Sequence, residues 1–223
     1  MPPRLVRKPL NTYHHGDLRG ALVQAALQEA EQGGPEAINI SALAKKLGVS
    51  QPAPYKHFAD REALLAGVTA EAFRQFMATL RAAIAKPSKR SKLSRFVHAA
   101  VDFGLRRGGI YRLMFATRII ANAPKSSELH GVAKETFGLL LEALEAPAVG
   151  FLRERSALKI WAALHGVVML AEQGLLTGEV AQTSRDQLVE EIVEQTKLAL
   201  AVAIEKARES SLRANGSGLW PAR

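Results

Sequence analysis

The chain has 223 residues, 48% hydrophobic and 23% charged, a balance ordinary for a folded protein with a substantial core. It contains no cysteine, which excludes disulfides, thiolate metal sites and cysteine nucleophiles and suits a reducing compartment. A formal net charge of +9 leaves two readings: polyanionic partners such as nucleic acid or anionic membrane, or a surface basic merely for solubility. No apolar run approaches the ~18–20 residues that span a bilayer. The N-terminal MPPRLVRKPLNTYHH is basic but lacks the apolar stretch and cleavage site of a secretory signal, so a cytoplasmic protein with no membrane partner is expected.

In chain order, apolar residues recur at helical spacing and strand signals are almost absent. Asp17 can cap a first helix carrying Leu18, Leu22, Val23, Ala25, Ala26 and Leu27, which ends at Gly33-Gly34. Ser41 can cap a short second helix, 42–47, stopped by Gly48. A third short helix holds GVSQPAPYKHF (48–58), and Asp60 can cap a long fourth helix that Pro87 ends near Lys86. After the basic connector 86–92, read as solvated, further helices are expected over 93–107, 111–116, 127–144, 153–173 and 185–206. The Gly- and Ser-rich residues 207–223 read as a loose tail. The fold class is all-α.

GVSQPAPYKHF carries the chemistry. Ala44, Gly48 and Val49 supply a small contact, a left-handed turn and an apolar plug, the pattern of two helices meeting steeply across a short turn. The second helix of such a pair can enter a DNA major groove. Prolines in its first turn cost little, because the N–H groups there lack intrahelical partners. Either Ser50 or Gln51 can be the N-cap. Pro52 and Ala53 can meet thymine methyls, Gln51 an adenine edge, and Tyr55, Lys56 and His57 phosphate oxygens. Phe58 reads better as core.

These residues, together with YHHGDLR (13–19) and REALL (61–65), resemble the DNA-binding domain of TetR-family transcriptional regulators. The resemblance implies a three-helix helix-turn-helix DNA-binding head (10–60), joined by a long helix to a larger C-terminal ligand-binding and dimerisation bundle (61–206). It also implies a homodimer formed by the last two long helices, double-stranded DNA as partner, and a small-molecule effector. By position, Ser41, Ser50, Tyr55, Lys56, His57 and Arg61 look like DNA-backbone contacts, and Gln51, Pro52 and Ala53 like base readers. Pro54 departs from the family pattern, which favours a helix-forming residue there. WAALHG (161–166) and YRLMF (111–115) are similar to the branch of the family with a Trp-His-Gly signature.

Phe103, Tyr111, Met114, Phe115, Phe137 and Trp161 either line an apolar pocket or are plain core. His165 is either a ligand contact or a core histidine bonded to a carbonyl. A mainly apolar effector is expected on this basis. His14-His15 has no third ligand at metal spacing. No nucleophile–base arrangement and no cofactor motif is legible. The expected function is therefore a DNA-binding regulator, a repressor released from a palindromic operator, rather than an enzyme; a ligand-binding protein with a degenerate head is the alternative.

Overall fold

Asp17 starts the described structure: its Oδ1 accepts the Gly20 N–H at 2.8 Å and opens helix α1, Leu18–Gly33. The computed structural model describes residues 17–147, 151–176 and 184–216, with no strand among them. Gly34, at φ +76°, ends α1, and its N–H bonds the Ala30 carbonyl. A 3₁₀ turn, Pro35–Ala37, leads into α2, Ile40–Lys46. After a second 3₁₀ turn, Pro54–Lys56, comes the 25-residue α3, Arg61–Ala85. Its N-cap is Asp60, which accepts the Ala63 N–H at 2.7 Å. Its end is set by Lys86, held extended (φ −67°, ψ 135°) by the following proline.

The remaining helices are α4 (Lys92–Arg106), α5 (Gly108–Phe115), α6 (Ile119–Asn122), α7 (Glu128–Ala143), α8 (Leu152–Glu172) and α9 (Arg185–Gly216). Ser91 and Ser127 cap α4 and α7 through their side chains. Helix α3 runs through the centre, burying Leu64, Val68, Phe73, Phe76 and Leu80 against α1, α4, α5 and α7. Each fully buried side chain of this kind contributes about 1.5–3 kcal/mol.

Four sequence expectations change. The N-cap of α2 is Asn39, whose Oδ1 accepts the Ala42 N–H at 3.0 Å, and not Ser41. Both residue types can cap, and burial of Ile40 decides between them by drawing that residue into the helix. The third helix is reduced to the 3₁₀ turn. The four-residue α6 was not anticipated. Helix α9 continues ten residues past Lys206, through residues assigned to the tail; only 217–223 lie outside the described residues. Tyr13, His14 and His15 also lie outside them.

Residues 17–60 are docked on the helices that follow. A Cβ on Gly109 of α5 would sit 2.0 Å from the Ala30 carbonyl oxygen of α1, so only glycine allows this approach. Arg107 Nε donates to Glu31 Oε1 at 2.6 Å, and its Nη1 donates to Gln75 Oε1 at 2.8 Å. At the N-terminus of α7, Glu128 receives Arg74 and lies 3.9 Å from Arg19. Exposed pairs such as Arg19–Glu128 contribute at most about 1 kcal/mol, so apolar packing sets the stability and the ion pairs set orientation.

Candidate nucleic-acid interface and the interior aromatic cluster

Between α2 and the second 3₁₀ turn, Gly48 stands at φ +68°. Its N–H bonds Lys45 O at 3.1 Å and the Val49 N–H bonds Ala44 O at 3.0 Å, a Schellman arrangement that closes α2 and redirects the chain. A Cβ at Gly48 would meet nothing within 4 Å, so glycine is required by backbone conformation and not by space. Ala44, fully buried, is the contact beneath the turn.

The segment 50–58 then advances by short-range bonds: Ala53 N–H to Ser50 O, Lys56 N–H to Ala53 O and His57 N–H to Pro54 O, each three residues back. An α-helix starting at Gln51 would need an N–H at position 54 to bond Ser50 O, and Pro54 has none. A tight 3₁₀ advance uses the donors that remain. Pro54 itself is buried beneath the turn, and the Phe58 N–H closes onto its carbonyl at 3.0 Å. No side chain caps this turn, so neither Ser50 nor Gln51 takes that role.

The backbone therefore displays a run of side chains. Ser50, Gln51, Pro52, Tyr55, Lys56 and His57 are exposed, Tyr55 at 53%, and Ala53 is half-buried. Phe58 turns inward at 4% exposure, with the Arg19 guanidinium 5.4 Å from its ring centroid. Gln51 Nε2 donates to Ser41 O at 3.3 Å, which ties the turn to the first turn of α2 and brings Ser41 onto the same surface. Arg61 is placed otherwise. Its Nε and Nη2 donate to the carbonyls of Ile38 (3.2 Å) and Pro35 (3.1 Å), so it clamps α3 to the preceding 3₁₀ turn. Lys45, absent from the sequence-based set, is exposed in the last turn of α2 and has no ion-pair partner among the described residues. Its neighbour Lys46 is held by Glu29 at 2.7 Å. The two adjacent lysines were visible in the sequence; which one stays free depends on α1.

Inside the molecule the predicted aromatic residues converge. Phe115 is the hub, with ring centroids 4.8 Å from Tyr111, 4.6 Å from His165, 5.6 Å from Trp161 and 5.3 Å from Phe73. Phe137 joins through Trp161 at 6.0 Å, and Phe103 stacks at a tilt on Phe76 at 4.8 Å. Two kinds of residue separate here. Phe103, Tyr111 and Met114 are buried at 3% exposure or less, and read as core. Phe115, Phe137, Trp161 and His165 are half-buried, with ring surface still accessible.

The Tyr111 hydroxyl and His165 Nδ1 form a hydrogen bond that sequence reasoning did not pair, because the two residues lie 54 positions apart. Burial, aided by the Glu172 carboxylate, pushes the Tyr111 hydroxyl far above the ordinary phenol range, so it stays protonated. Burial lowers the pKa of His165, which favours the neutral ring. His165 is thus bonded to a phenol and not to a carbonyl.

A small exposed turn, stiffened by glycine and proline and carried on a helical scaffold with an aromatic interior, defines a helix-turn-helix DNA-binding regulator. Two family models match: "Bacterial regulatory proteins, tetR family" over residues 22–68, and "Tetracyclin repressor-like, C-terminal domain" over residues 93–196. The chain belongs to the TetR family of transcriptional regulators, and is a regulator and not an enzyme. It is 27% identical over 90 residues to the HTH-type transcriptional regulator YobS of Bacillus subtilis (strain 168), itself uncharacterised. That match spans 40% of this chain and 47% of YobS, about half the length of that curated relative. Among solved structures, a protein of unknown function from Rhodococcus sp. RHA1 superposes with a TM-score of 0.69 at 27% identity, over 86% of this chain and 99% of that one. The fold is shared with FadR from Bacillus subtilis, solved in complex with stearoyl-CoA (TM-score 0.57, 15% identity, 78% of this chain and 97% of that one).

Proposed function

We propose that the chain is a cytoplasmic, homodimeric repressor that two copies of the 50–57 turn seat on a palindromic operator, and that a mainly apolar effector releases. The division is a DNA-binding head over 10–60 and an effector and dimer unit over 61–206. Ser41, Ser50, Tyr55, Lys56 and His57 hold phosphates; Gln51, Pro52 and Ala53 read base edges. The observation that carries this reading is the exposure of all of these but Ala53, on one short, stiffened turn and the first turn of α2 tied to it, while Pro54 and Phe58 anchor the turn from below. Arg61 enters as the clamp that fixes the turn relative to α3, with the N–H groups left on its guanidinium free for a phosphate.

One such turn is a small interface, and a dimer doubles it. Helix α8 supports this with an exposed stripe at four-residue spacing, Leu158, Ala162, Gly166 and Leu170. A Cβ on Gly166 would meet nothing within 4 Å, leaving room for a partner helix to approach. Leu198 and Val202 extend the surface on α9, at 68% and 47% exposure. Leu188, Ile192 and Leu200, which share the apolar pattern of α9, pack onto their own chain instead.

The effector reading rests on the accessible rings of Phe115, Phe137, Trp161 and His165. A ligand that covers them gains about 25 cal/mol per Å² of apolar surface, and the Tyr111–His165 pair offers one polar contact. The test uses fluorescence anisotropy on the chain's own upstream DNA, with Trp220 removed so that Trp161 is the single reporter. An apolar compound that releases DNA should change the Trp161 emission. Release by highly charged compounds alone, with Trp161 silent, would sink the effector assignment; failure to bind any upstream duplex would sink the regulator's proposed mode of action.

A further inference from the structure

The bond between the Tyr111 hydroxyl and His165 Nδ1 can be made in two ways. Either the phenol donates to a bare Nδ1, which puts the ring proton on Nε2, or Nδ1–H donates to the phenol oxygen. Tyr111 is buried, and its hydroxyl has no second partner among the described residues. The second arrangement would strand a buried O–H without an acceptor, and so would a doubly protonated ring. The first leaves only a lone pair unused. His165 is accordingly neutral and protonated at Nε2, in keeping with the burial that lowers its pKa.

That Nε2–H is a donor with nothing to donate to. It has no hydrogen-bond partner among the described residues. Nor is it enclosed: the buried side-chain atoms without a partner, among the described residues, belong to Arg153 and Glu154, so Nε2 keeps a surface that a ligand can reach. Around the imidazole stand Phe115, Tyr111 and Trp161, with ring centroids 4.6, 5.5 and 5.7 Å away. Ring faces accept hydrogen bonds only weakly. No lysine, arginine or carboxylate takes part in these ring contacts. The lining is therefore apolar, with a single neutral donor.

We propose that the effector is a neutral, apolar carbonyl compound, its hydrocarbon body against Phe115, Phe137 and Trp161 and its oxygen accepting from His165 Nε2–H. The inference rests on the effector reading above and narrows it. An ammonium group would bring donors to a donor. A carboxylate could accept the bond, but its charge would lie desolvated with no cation among the rings. A carbonyl oxygen satisfies Nε2–H without burying a charge. Tyr111 is the positioning residue: by donating to Nδ1 it sends the ring proton to the side that meets the ligand.

The probes are methyl pentyl ketone, heptane and the primary amine corresponding to the ketone. Each is titrated into the full chain carrying Trp220→Phe, with Trp161 emission as the signal. The ketone should bind about fivefold tighter than heptane and at least about tenfold tighter than the amine. His165→Phe keeps a ring in the cluster and removes the donor, so ketone and heptane should then bind alike. Imidazole nitrogen NMR of the unliganded, isotopically labelled chain should find the His165 proton on Nε2, and Tyr111→Phe should abolish that preference. The ketone–heptane comparison needs no change at His165 and stands even where His165→Phe fails to fold. Equal binding of ketone and heptane, a gap that persists in His165→Phe, or a proton on Nδ1 would each overturn the inference while the apolar-effector reading survives. Silence of Trp161 towards all three probes would defeat that reading, and this inference with it.

Discussion

The 50–57 turn and the Phe115 cluster are built on opposite principles. In the turn the backbone is fixed by Gly48, Pro52 and Pro54 and all the side chains of 50–57 but Ala53 and Pro54 face solvent; in the cluster the side chains fix one another ring to ring across α3, α5, α7 and α8. Substitutions in the first region should therefore change recognition with little effect on stability, and those in the second should change stability first. A surface that reads a partner needs groups left unsatisfied until the partner arrives. A core needs none left over.

The largest effect tests the core side. Phe76→Ala removes a ring that touches both Phe103 and Phe115, and should cost about 3–5 kcal/mol in denaturant unfolding. The molecules that remain folded should bind DNA with unchanged salt dependence. Gly48→Val puts a β-branched residue at φ +68° and should cost about 1–3 kcal/mol, while disabling DNA binding out of proportion to that loss. If its DNA affinity follows stability alone, the turn is not the reading element.

Within the turn, Gln51→Ala should lose about 1–3 kcal/mol on one base pair of the operator and nothing on mismatched DNA. Lys56→Ala should weaken every duplex alike and flatten the log–log salt slope by about 0.9. A shared, sequence-independent loss in both variants would erase the distinction between base readers and phosphate holders.

The smallest effect is one of pH. His165 has its folded pKa below the ordinary histidine value, so the unfolded chain takes up that proton first as pH falls. Its contribution is fully present above the unfolded value of about 6.5 and is lost as pH falls through the folded value. Melting temperature should drop across that window, and His165→Gln should flatten the drop. Tyr111 has the opposite sign: its raised pKa stabilises the fold until pH climbs past about 10. A downward trend in melting temperature beginning there, absent in Tyr111→Phe, would show it.

Much of the fold was legible because the signals were local. Asp17, Asp60, Ser91 and Ser127 precede apolar-periodic runs, and each caps the helix that follows. The sequence Asn39-Ile40-Ser41 offers two caps two residues apart, and only the packing of Ile40 distinguishes them. Residues 208–212 of α9 are all exposed, so no apolar stripe in the sequence marks how far the helix continues past Lys206. In the candidate sites, residue type was readable and engagement was not. Nothing local says that Arg61 is occupied by the carbonyls of Pro35 and Ile38, or that Lys46 is held by Glu29 while Lys45 is free. The joining of Tyr111 to His165 depends on how α5 crosses α8, which no short window encodes.

The Arg61 clamp makes α3 a lever. The helix has 25 residues and is about 37 Å long, and its first turn is fastened to the 3₁₀ segment that precedes α2. By that arithmetic a tilt of about 5° at the Ala85 end displaces the Arg61 end by about 3 Å. A hydrogen bond to a base edge spans about 3 Å and weakens steeply with misalignment, so a displacement of that size breaks register at every contact together. Arg61→Ala should leave both ends folded and remove one of the links between them: an effector should still be felt at Trp161 and release DNA less completely.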